Sequence, residues 1–219
     1  DKTMLEIARK TLNHSKLGVH VIPGFATVKK ELQLAIDVGV DVFRVACHCT
    51  EADTTQHLID FVRNQGKEVY GALMMTHMAS KEILAEEAYK MQSYGADGVV
   101  LYDSAGASLP AEVKEKVKEL VKTLEVEVGY HAHNNLGMAI ANSVSAVEAG
   151  ATILDGTSRG FGAGAGNTQL EVLVAVLDKM EYSTGIDLYK VLDASNLAEL
   201  ELIQTLPGIK SNSIVSALA

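Results

Sequence analysis

The sequence has little with which to cross a membrane, bind nucleic acid or cross-link itself. No apolar run approaches the ~18–20 residues that span a bilayer. Nothing near its first residues is patterned as a secretory signal. Lysine and arginine never cluster and the formal net charge is −9, so nucleic acid is a poor partner. The only thiols, Cys47 and Cys49, sit two apart, share a face of any strand and are too constrained to pair. That predicts reduced cysteines in a cytoplasmic protein. The Cys47-His48-Cys49 run lacks the second pair of soft ligands a full zinc site needs. No G-x-G-x-x-G follows the first apolar run, and no Walker-type Lys-Ser/Thr closes the glycine-rich stretch.

What the chain does have is rhythm. Its 219 residues are 47% hydrophobic and 21% charged, enough to fold one large domain or two small ones around a real core. Short apolar runs recur at 18–24, 40–49, 69–77, 97–106, 126–134 and 152–162. Rich in Val, Ile and Tyr, they read as buried strands. Between them lie amphipathic stretches. In 112–124, Val113, Val117, Leu120, Val121 and Leu124 form one stripe. In 136–149, Leu136, Ile140, Val144 and Val147 do the same, and Gly150 stops the helix. Thr168 and Glu171 in "TQLE" predict a capping box, and "TEAD" at 50–53 predicts a weaker helix start. Six βα units imply a parallel sheet with right-handed crossovers. An open doubly wound sheet and part of a TIM (β/α)8 barrel both fit. Polar residues at the C-terminal end of every strand favour the barrel, whose site lies at that mouth. The expected division is a partial barrel over 1–183 and a helical region over 184–219.

The strand ends carry the candidates for chemistry. His131 and His133, in "GYHAHNNLG", point the same way because strand side chains alternate. They offer a divalent cation two imidazoles, with open positions for oxygen ligands; alternatively, one caps the following helix and the other bonds locally. Arg44 and His48 share a face of one strand. A buried arginine needs an anion, either an internal carboxylate or a substrate carboxylate. Asp103 and Ser104 close the fourth strand. Asp103 is a candidate to bind substrate, to hold a ligating histidine in its tautomer, or simply to cap a helix. The run "GFGAGAGN" at 160–167 lets backbone N–H groups approach an anion or pack tightly beneath a site.

"HAHNNLGMAIANSVSAVEAGA" and "DGTSRGFGAGAGNTQLE" resemble the metal-dependent TIM-barrel superfamily of 3-hydroxy-3-methylglutaryl-CoA lyase and 2-isopropylmalate synthase. "RVACHCTEAD", "LMMTHMAS" and "DSAGA" look most like its 4-hydroxy-2-oxovalerate aldolase family. The resemblance runs along nearly the whole chain. It implies cleavage of 4-hydroxy-2-oxovalerate to pyruvate and acetaldehyde through a metal-stabilised enolate. It also implies a divalent metal on His131 and His133, most commonly Mn²⁺, with Mg²⁺ or Co²⁺ as alternatives, and Ser104, Asp103, Arg44 and His48 near the substrate. The implied partners are a small 2-oxo acid, an acylating acetaldehyde dehydrogenase and further copies in an oligomer. Members of the family begin with a strand ending in Arg-Asp-Gly, soon followed by a His; these supply a metal ligand and the base. The sequence contains no such motif. The resemblance therefore implies a piece of a longer barrel, short of two units at the front and of a tail tyrosine, inactive alone and prone to associate. Two other functions fit the residues. One is an acetyl-CoA-dependent condensing enzyme of the isopropylmalate or citramalate synthase type, against which Ala163 and Gly164 stand where those synthases carry Glu-Arg. The other is a non-catalytic barrel remnant that binds metal or a partner.

Overall fold

The computed structural model describes residues 1–218. Six strands form a single parallel sheet: β1 (Gly18–Val21), β2 (Val42–His48), β3 (Glu68–Met74), β4 (Gly98–Asp103), β5 (Glu127–Ala132) and β6 (Ile153–Leu154). They pair in strict chain order. A doubly wound sheet reverses its order at a switch point, and this one never does, so the sheet is the wall of a barrel. Among the described residues β6 does not pair with β1. The wall is nevertheless curved enough for β1 and the residues just after β6 to line one cavity.

Helix α1 (Lys2–Thr11) precedes the sheet, with Asp1 accepting from the amides of Thr3 and Met4 as its N-cap. The crossovers are α2 (Gln33–Val38), α3 (Gln56–Asn64), α4 (Lys81–Ser93), α5 (Pro110–Thr123) and α6 (Ala139–Glu148). α7 (Leu170–Lys179), α8 (Leu188–Glu201) and α9 (Ser211–Leu218) follow β6. The helices stack against one face of the sheet. Phe43, Val45, Val69, Leu73, Val99, Leu101 and Val128 point to that face and are fully or almost fully buried. Each contributes roughly 1.5–3 kcal/mol of hydrophobic stabilisation.

Two local expectations fail and a third, the helix start in "TEAD", is met in altered form, each for a reason of packing. The TQLE box does not form. Gln169 is the N-cap of α7, and the Thr168 hydroxyl lies 3.1 Å from Ser143 Oγ. The buried Glu171 carboxylate accepts from Arg159 (3.2 Å) and Ser195 (3.0 Å). A buried carboxylate needs charged and hydroxyl partners more than a helix needs the ~1 kcal/mol of a cap. In "TEAD", residues Ala52–Thr55 form a 3-10 turn before α3, its first amide held by Glu87 at 2.8 Å. In α6 the most buried side is Ala139, Asn142, Ser143 and Ala146, not the aliphatic stripe. Small side chains there allow close approach, and Asn142 Nδ2 donates to the Ser108 carbonyl at 2.8 Å.

Candidate active site

Register decides which side chains meet. Tyr102 on β4 pairs with His131 on β5, and His20 on β1 pairs with Arg44 on β2. All four point away from the helices, into a cavity of ≈ 370 Å³ that also takes in Asp155 and Thr157 beyond β6. Their rings form a row. His20 stacks on Tyr102 (5.8 Å between centroids), Tyr102 on His131 (4.5 Å), and His133 meets His131 edge-on at 5.2 Å. The two imidazoles of the His-x-His pair therefore converge, as their spacing predicts.

A carboxylate organises the row. Asp155 Oδ2 accepts from Arg44 and lies 3.0 Å from His131 Nδ1. Arg44 also donates to the Tyr102 hydroxyl at 3.2 Å. Burial alone would push the Asp155 carboxyl up; the His131 bond and the Arg44 charge outweigh it and hold it below its usual range. Burial pushes the Tyr102 phenol up to about 12, so it stays protonated. Burial, Arg44 and His131 together pull His20 below its ordinary value. Burial and His131 do the same to His133, against the pull of Asp103 and a hydrogen bond with the Ala163 backbone. A neutral His133 keeps a nitrogen lone pair for a ligand.

The other predicted residues separate. Arg44 has the internal anion that its burial demanded, Asp155, so its charge is engaged before any substrate arrives. His48 does not line the cavity; its Nδ1 lies 2.9 Å from Thr50 Oγ1 at the rim. Ser104 Oγ accepts from the Met75 amide at 3.0 Å, which leaves its own proton free to donate. Asp103 is fully buried and points to the helix side with Leu101. It accepts from the amides of Ala107 (3.1 Å) and Ser108 (3.2 Å), fixing the turn into α5. Of its three candidate roles, these bonds show the one at the helix start; among the described residues the carboxylate within hydrogen-bond distance of a histidine ring is Asp155. Cys47 and Cys49 are free and buried, and burial pushes the Cys47 thiol up to about 12.

The glycine run packs beneath the site. Asn134 N donates to Gly166 O at 2.8 Å, and Ala165 N to Asn135 Oδ1 at 2.8 Å. Gly164 has φ +64°, and a Cβ there would lie 2.5 Å from Asn135 Oδ1, so only glycine fits. The run also delivers Asn167 opposite His133 in an antiparallel bridge. Its Oδ1 is buried without a hydrogen-bond partner, an oxygen on the side of the imidazoles. Among the described residues no three of His, Cys, Asp or Glu are grouped to hold a metal. Two imidazole nitrogens and an orphaned amide oxygen are a partial donor set that suits a borderline divalent ion.

A model of the HMGL-like family matches residues 4–198. The chain belongs to that family. It is similar to the 4-hydroxy-2-oxovalerate aldolases of Pectobacterium atrosepticum and Spirochaeta aurantia, 58% identical to each over 219 residues. That alignment covers all of this chain and 64% of each relative, so the chain spans a little under two thirds of their length. The aldolase of Streptomyces tendae is 51% identical over the whole chain and 61% of its own length. Among solved structures, an N-terminal domain from Bacteroides vulgatus matches 99% of this chain and 73% of its own, at TM-score 0.86 and 26% identity. The carboxyl transferase domain of Rhizobium etli pyruvate carboxylase, with pyruvate and biocytin, matches 97% of this chain and 40% of its own, at TM-score 0.86 and 21% identity. The latter likeness is one of fold. The site residues that sequence reasoning missed are Tyr102, Asp155 and Asn167. For Asp155 a signal existed: an Arg in an apolar strand demands a carboxylate, and Asp155 ends another strand.

Proposed function

We propose that the full-length protein cleaves 4-hydroxy-2-oxovalerate to pyruvate and acetaldehyde with a divalent metal, Mn²⁺ first among candidates. The observation that carries the reading is the convergence of His131 and His133 at the strand ends, 5.2 Å apart with Asp155 behind the first. The extended similarity to aldolases supports it. His131 and His133 would hold the ion, and Asn167 offers an oxygen beside them. When bound, the ion supplies Lewis acidity toward the 2-oxo acid. The chain's own residues do the rest of what is assigned here. Ser104 donates its free proton to the pyruvate part of the substrate. Arg44 acts from behind, through Asp155 and Tyr102, which it holds against the floor of the cavity. His48 meets substrate at the rim.

The condensing alternative is disfavoured by Gly164, where a charged side chain would need a left-handed backbone and would strike Asn135. An acylating acetaldehyde dehydrogenase is the partner this reaction calls for, since acetaldehyde is volatile and reactive. We place the enzyme in the cytoplasm as an oligomer; among the described residues no helix is long and apolar enough to cross a membrane.

The test follows pyruvate release from racemic 4-hydroxy-2-oxopentanoate while Mn²⁺ is titrated, beside a His131→Ala, His133→Ala variant. Metal-dependent release that the double variant loses, by at least about 100-fold, supports the reading. No pyruvate from folded, metal-loaded protein sinks it.

A further inference from the structure

Asp155 meets the His131 ring at Nδ1 and not at Nε2. Its Oδ2 accepts from Arg44 and lies 3.0 Å from His131 Nδ1. It is thus well placed to decide which nitrogen of His131 carries the proton. A carboxylate at 3.0 Å favours a proton on Nδ1, which leaves the lone pair on Nε2. The ring is fixed in a second direction as well. Tyr102 stacks on it at 4.5 Å with planes 23° apart, and Tyr102 is in turn held by Arg44. In-plane rotation is thus limited by Asp155 and tilting by Tyr102. Among the described residues, His133, edge-on to the same ring, has no hydrogen bond to a side-chain carboxylate such as His131 has with Asp155.

We propose that Asp155 is a positioning residue that holds His131 as its Nδ1–H tautomer, with Nε2 turned to a divalent cation shared with His133. The inference rests on the metal reading above. It adds an order of action: Arg44 places Asp155, Asp155 sets the His131 ring, and the ring presents the ligand nitrogen. The competing account is that Asp155 only neutralises Arg44, in which case the tautomer and the metal are indifferent to it.

The experiment uses the full-length protein with ¹⁵N-labelled histidine. Long-range ¹H–¹⁵N spectra, assigned with a His131→Gln variant, read the tautomer without metal. The expected state of His131 is Nδ1–H, converting to the commoner Nε2–H form in Asp155→Ala. Mn²⁺ affinity, read from the EPR signal of the free ion, is expected to fall about 10–100-fold in Asp155→Ala. Asp155→Asn keeps the shape and is expected to lose about tenfold; it decides the matter if the alanine variant does not fold. An Nε2–H tautomer in the unmodified protein, or folded Asp155 variants that bind Mn²⁺ as tightly as the unmodified protein, overturns the inference alone. No Mn²⁺ binding by the unmodified protein overturns the metal reading, and the inference falls with it.

Discussion

The two faces of the sheet are made by the same strands and differ in everything else. On the helix side, Phe43, Val45, Leu73, Val99 and Leu101 are sealed from water and have no polar work to do. On the inner side, one residue along in each strand, stand Arg44, Tyr102 and His131, partly accessible and joined by directed bonds. The sequence alternation that separates them has a period of two, so a register slip of one residue would bury the charges and expose the core. Stability and chemistry are therefore divided across a single backbone. The helix face has many interchangeable apolar contacts, whereas the inner face depends on one carboxylate, Asp155, meeting two donors at once. Damage to the first should show as lost folding. Damage to the second should show chiefly as lost positioning.

Adjacent residues test this division. Phe43→Ala empties a fully buried site on the helix side and should cost about 3–5 kcal/mol in denaturant unfolding. Metal affinity of the remaining folded protein should be unchanged. Arg44→Met, one residue on, replaces the cation by an apolar chain of similar length. It leaves Asp155 with His131 as its remaining side-chain partner and should cost about 1–3 kcal/mol, less than the phenylalanine. A loss as large as that of Phe43→Ala would mean that the inner face is a second core and that the comparison is wrong.

Much of this was legible in the sequence, for identifiable reasons. The runs ending at Cys49, Gly106 and Asn134 each contain an observed strand, and the run ending at His77 misses only Glu68 of its strand, because a parallel sheet buried by helices needs continuous apolar segments. His131 and His133 converge because alternation is a local rule. The βα rhythm alone fits both a barrel and a doubly wound sheet; the polar residues at the strand ends favoured the barrel, and the strand order bears that out. Asp155 was hidden. It follows a strand of only two residues, and Asp155-Gly156 reads locally as a turn. Its partners lie 111 and 24 residues away in the chain. Asp103 shows the limit of a strand-end reading: the sequence left substrate binding, histidine positioning and helix capping open, and parity, which puts it on the helix side with Leu101, is what brings it to the amides of Ala107 and Ser108. Thr168 and Glu171 match a local capping signature, yet Arg159, Ser143 and Ser195 recruit both side chains.

The smallest change separates hydrogen bonding from stacking on the inner face. Tyr102→Phe removes one hydroxyl and keeps the ring that stacks between His20 and His131. The lost bond to Arg44, 3.2 Å long, should cost only about 0.5–1.5 kcal/mol of stability. If the inner face works by directed bonds, Arg44 then holds Asp155 with one tether fewer, and Mn²⁺ binding should weaken a few-fold although nothing that touches the ion has changed. If the stacked ring alone steadies His131, Mn²⁺ affinity should match that of the unmodified protein. Thermal unfolding and free-Mn²⁺ EPR on the same samples separate the two, because the first reads the hydroxyl's share of folding and the second its share of positioning.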